Sequence, residues 1–91
     1  MIRSFRDAET EKIFNGMRCR RFQAIERTAI RKLFQVHAAK TLQDLPSPGN
    51  SLETLKDDRT GQHSIRINDQ YRVCFVWKPD GPHDVEITDY H

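Results

Sequence analysis

The sequence predicts an α+β domain in which two N-terminal helices pack on one face of a small, mainly antiparallel β-sheet. Three observations predict it. Before residue 46 apolar residues recur at three- and four-residue intervals, after residue 50 they alternate, and the breaker cluster "LPSPGNS" separates the two regimes. With 91 residues the chain is expected to form one domain, 1–91, with a modest core.

Taken in order, "IRSF" reads as a short strand. Asp7 then stands where a helix start needs an acceptor for its free amides, and Glu9 and Glu11 suit the positive end of that helix. Ile13, Phe14 and Met17 are expected on its inner side, and Gly16 to end it. A second, longer helix follows from Ile25, Ala29, Ile30, Leu33, Phe34, His37, Ala38, Thr41, Leu42 and Leu45 on one stripe. Arg27, Arg31, Lys32, Gln35 and Lys40 fall mostly outside that stripe. Pro46, Pro48 and Gly49-Asn50 stop it. "SLETLK" is expected as a short strand leading into a meander of "HSIRIN", "YRVCFVW" and "DVEIT", with turns at Asn68-Asp69 and Asp80-Gly81.

Alternation assigns the faces. Tyr71, Val73, Phe75 and Trp77 point to one side with Ile65, Ile67, Val85 and Ile87, where the helices can cover them. Arg72, Cys74, Val76, Ser64, Arg66, Glu86, Thr88 and Tyr90 point to the other side, a polar, partly cationic front expected to lie open to solvent, with Arg66, Arg72 and Tyr90 in a groove suited to phosphate.

The composition is that of an ordinary globular chain. Apolar runs are far shorter than a membrane span and the N-terminus is charged where a secretory signal is apolar, so a cytoplasmic protein without membrane contact is expected. Net charge is only +2, yet Arg3, Arg6, Lys12, Arg18, Arg20, Arg21, Arg27, Arg31, Lys32 and Lys40 crowd the first forty residues. Such a surface suits either a solvated helix face or a phosphate backbone. Cys19 and Cys74 lack metal-ligand or redox spacing, and free thiols are expected. His37 reads as a helix residue satisfied by a neighbour, His63 and His83 as loop or strand-end residues, and "KDDR" as a solvated turn rather than a metal site. No repeat or helix-turn-helix pattern supports a DNA-reading module.

The sequence closes on "VEITDYH". His91 can exchange a proton near neutrality, and Asp89 and Tyr90 can position it or share that work. RNA cleavage asks for such groups. The 2′-hydroxyl must lose a proton as it attacks phosphorus, the leaving 5′-oxygen must gain one, and the extra phosphate charge needs cations. Lys56, Arg66 and Arg72 can supply charge, and Tyr90 can stack a base. From residue types alone, a frayed polar tail is the commoner reading of the same three residues.

The stretch "LKDDRTGQHSIRINDQYRVCFVW", followed by "DVEITDYH" and preceded by "MIRSF", resembles the HigB-type toxins of the RelE superfamily over nearly the full chain. The resemblance implies a RelE-like fold and a toxin of a type II toxin-antitoxin system that arrests growth. The activity implied is a ribosome-dependent endoribonuclease, an mRNA interferase that cuts translated messages in the A site and needs no metal or other cofactor. It places catalysis on Asp89, Tyr90, His91, Lys56 and Arg72; RNA or phosphate contact is expected beside them at Arg66, from the cationic face, and at Arg59. The partners implied are a HigA-like helix-turn-helix antitoxin, the ribosome with its mRNA, and operator DNA reached through the antitoxin. One departure stands out. Many relatives read His-Pro-Leu-Lys-Gly-Asp where this chain reads Glu53-Thr54-Leu55-Lys56-Asp57-Asp58, so a carboxylate that repels phosphate replaces a histidine and weaker or altered cleavage is expected. A ParE-like gyrase inhibitor would share the scaffold without needing acid-base residues, and a non-catalytic ribosome- or RNA-binding module would grip RNA without cutting it.

Overall fold

The computed structural model describes residues 1–89. Its elements are helix α1 (Ala8–Phe14), a 3-10 segment (Arg20–Ile25), helix α2 (Glu26–Ala38), and strands β1 (Glu53–Thr54), β2 (Gln62–Arg66), β3 (Tyr71–Lys78) and β4 (Gly81–Asp89). Short 3-10 turns lie at Leu42–Asp44 and Asp57–Arg59. The four strands form one antiparallel sheet in the order β1-β2-β3-β4, and both helices cover one of its faces. This is the α+β arrangement expected.

Local chemistry sets the boundaries. Asp7 caps α1 by accepting from the Thr10 amide at 3.3 Å. At the other end Met17 N donates to Lys12 O and Gly16 N to Ile13 O, with Gly16 at φ +79, so a left-handed glycine satisfies the last carbonyls. Asn68 Oδ1 accepts from the Gln70 and Tyr71 amides and closes the β2–β3 turn. The core joins Ile13, Phe22, Ala29, Leu33, Val36 and Leu45 to Ile65, Val73, Phe75, Val85 and Ile87. Thr10 ties α1 to the sheet, because its hydroxyl accepts the buried Ile87 amide at 2.9 Å.

Several details differ from the periodic reading. Only Phe5 of "IRSF" is bridged, in parallel to Val85, although residues 3–6 follow β4 through Arg3 N to Pro82 O, Val85 N to Ser4 O and Arg6 N to Val85 O. Met17 is exposed, since the glycine turn carries the chain away before it can reach the core. Helix α2 stops at Ala38, and Leu42 and Leu45 belong to a separate turn capped reciprocally by Thr41 and Asp44. The buried stripe of α2 is Ala29, Lys32, Leu33 and Val36, whereas Phe34 is half-exposed against Phe14. Lys32 is therefore inside, not on the solvated side. The 3-10 segment had no periodic signal. It is tied to α1 by Cys19 and Arg21, which donate to Glu9 and hold its carboxyl below the usual range, Arg21 first.

Candidate active face

The sheet face turned away from the helices is built as alternation predicts, but it is not open. Row by row, β2, β3 and β4 align Arg66 with Arg72 and Thr88, and Ser64 with Cys74 and Glu86. Glu53 of β1 pairs with Ser64 and shares this face. Ser64 and Cys74 are fully buried and Arg72 is 9% exposed. The expectation of a freely solvated groove at Arg72 is corrected by what lies around the guanidinium. Arg72 Nε donates to Ser64 Oγ at 2.7 Å, and Nη2 donates to the Ser51 carbonyl at 2.5 Å and to the Ser64 carbonyl at 3.3 Å. The fork is thus held on three acceptors, none of them charged. No carboxylate is among these acceptors, which suits an anion better than an internal ion pair would.

Beside it, Arg59 donates to Glu86 at 2.6 Å and to Gln62 at 3.0 Å, and Arg6 approaches the same Glu86 at 3.9 Å. Cys74 lies under this pair, and burial pushes its thiol above the usual range. Arg66 is half-buried and pairs with Asp69 in the β2–β3 turn. Lys56, exposed, is the residue before the Asp57–Arg59 turn. The face therefore carries Arg72 on β3 and Arg66 on β2, with Arg59 beside it in the turn before β2.

Asp89 is the last residue of β4 and pairs with Tyr71, one row beyond Arg72 and Thr88. By alternation it belongs to the helix side, and its Oδ2 accepts from Gln70 Nε2 at 3.0 Å. Tyr90 and His91 lie outside the described residues. Among the described residues, no group of three or more His, Cys, Asp or Glu is placed to hold a metal ion, and no helix is long and apolar enough to cross a membrane. Two cavities, of about 420 and 250 Å³, lie along residues 18–30, away from this face.

Sequence reasoning missed the groups that hold Arg72. Alternation puts Ser64 on the face and is silent on its role, and Ser51 acts through its backbone, which no residue type signals. Both contacts are tertiary and leave no periodic trace.

Comparisons agree on what this architecture resembles. The family described as the RelE-like toxin of the type II toxin-antitoxin system HigB matches residues 3–91. Toxin HigB-1 of Vibrio cholerae serotype O1 is 36% identical over 80 residues, covering 85% of this chain and 84% of that protein. Among solved structures, the YoeB-YefM complex from Staphylococcus aureus superposes with a TM-score of 0.63 at 16% identity, covering all of this chain and 98% of the other. The YoeB dimer from the same organism gives 0.63 at 17% identity, over 99% and 97% of the two chains.

Proposed function

Because the chain belongs to the RelE-like HigB toxins of type II toxin-antitoxin systems, a family of mRNA interferases with an antitoxin partner, we propose that it cleaves messenger RNA in the ribosomal A site through the face centred on Arg72. The toxin works in the cytoplasm, without a metal, and is neutralised by a HigA-like helix-turn-helix protein that also carries the complex to operator DNA.

The fixed Arg72 fork carries this reading. A guanidinium held by neutral acceptors is preorganised for a phosphate whose charge grows as the 2′-oxygen attacks, and it need not reorganise during the reaction. Lys56 adds a point charge from the rim, and Arg66 and Arg59 guide the flanking phosphates. His91 protonates the leaving 5′-oxygen, directly or within a relay, Tyr90 holds or stacks the RNA, and Asp89 orients the terminal residues or takes the 2′-proton. Glu53, on the same face as Ser64, opposes phosphate and moderates the rate.

The exposed arginines of the N-terminal half, among them Arg18, Arg20, Arg27 and Arg31, favour approach to ribosomal RNA. The test is primer extension on a message, translated or ribosome-free, with the intact chain and one lacking His91. Cuts are expected only with ribosomes and only with His91 present. Undiminished cutting by the shortened chain would remove His91 from the mechanism, and cutting of naked RNA would remove the ribosome.

A further inference from the structure

The sole buried lysine among the described residues is Lys32, 5% exposed on the sheet-facing side of α2. Its Nζ donates to Asn50 Oδ1 at 2.5 Å and to the Gly49 carbonyl at 3.5 Å. An ammonium taken out of water is costly unless its hydrogen bonds are made, and burial with neighbouring Arg31 and Arg66 lowers its pKa. Asn50, 1% exposed, uses its other end as well: Nδ2 donates to Gln35 Oε1 and to the Leu45 carbonyl, both at 2.8 Å. Its backbone carbonyl accepts the Arg66 amide. The next residue, Ser51, stands at φ +45, a conformation that L side chains adopt at a cost and keep only where their surroundings impose it. Its carbonyl is the acceptor of Arg72 Nη2 on the other face of the sheet.

We propose that Lys32 and Asn50 are positioning residues for the cleavage reaction: from the helix side they clamp the segment around the edge of β2 and so fix the Ser51 carbonyl that aims the Arg72 guanidinium. A lysine whose charge stays buried against side-chain and backbone oxygens holds one loop geometry better than an apolar residue would, because only that geometry satisfies it. The inference rests on the proposed role of Arg72.

A double-mutant cycle on ribosome-programmed cleavage separates the possibilities. Lys32→Met keeps the length of the stem and removes the ammonium. Its maximal single-turnover rate is expected to fall by about tenfold, with little change in the toxin concentration giving half that rate, since a misaimed fork costs in the transition state. In an Arg72→Ala background the same substitution is expected to cost nothing further, because the group it aims is gone. Gln35→Ala, a milder change at the half-buried end of the clamp, should repeat the pattern at roughly a third of the effect should Lys32→Met fold poorly, as circular dichroism would report. Equal losses in both backgrounds would overturn the positioning role and leave a purely structural one. Full activity in Lys32→Met would overturn it too. An Arg72→Ala protein that cuts normally would instead refute the role of Arg72, and the clamp's catalytic meaning with it.

Discussion

The two faces of the sheet are both buried, by opposite means. On the helix side Leu33, Val36, Phe75, Val85 and Ile87 exclude water by packing apolar surface, and almost any well-shaped hydrophobe serves. On the other side Ser64, Arg72 and Cys74 are just as inaccessible, yet hydrogen bonds and the Arg59–Glu86 pair enclose them. The first kind of burial gives stability. The second keeps a charge oriented at modest net stabilisation, because its groups give up water to gain their bonds.

Four measurements would break or sharpen that contrast. The largest stability loss is expected from Leu33→Ala on the helix side, about 3 kcal/mol in denaturant titration, with the cleavage rate per folded molecule unchanged. Arg72→Ala should cost about 2–4 kcal/mol in the activation free energy of cleavage, read as the ratio of single-turnover rates, with circular dichroism verifying the fold. If its stability loss matched that of Leu33→Ala while cleavage survived, the two faces would not differ in purpose. Ser64→Ala removes one acceptor and leaves Arg72 Nε buried without it, which should cost roughly 1–2 kcal/mol of stability and slow cleavage as well. The smallest effect is kinetic and local: with its thiol raised by burial, Cys74 should resist iodoacetamide at about pH 8 in the native chain and react on unfolding, as mass spectrometry of its peptide would show. Its protonation sign fixes the trend, since a raised pKa means less thiolate at any given pH and reactivity that climbs only as pH approaches that value.

Periodicity made one face legible and half of the other. The alternation in "YRVCFVW" placed Val73 and Phe75 in the core and Arg72 and Cys74 opposite, and it is silent on whether the opposite face meets water. Lys32 escapes the periodic pattern because a lysine at the edge of an apolar stripe normally extends to solvent; its partner Asn50 stands 18 residues away and arrives only through the fold. The end of α2 was legible in principle, for Thr41 and Asp44 have the spacing of a capping box, but the apolar stripe running on to Leu45 outweighed it. The exposed Met17 and the 3-10 segment were set by glycine geometry and by tertiary ties to Glu9, which no local pattern carries. As for the site, residue types at 89–91 allowed both a tail and a proton relay, and the choice came from resemblance.

Residues 3–6 and 82–85 hold one another in place across almost the whole length of the chain: Ser4 accepts the Val85 amide, its hydroxyl accepts the Asp84 amide, and Gly81 passes so near Met1 that a Cβ there would come within 2.8 Å of the Met1 carbonyl. Contacts of such sequence separation form late, after the intervening chain is available. Residues 3–6 thus find their partner only once β4 is in place, and β4, which leads to the proposed proton relay, gains its second neighbour at the same moment.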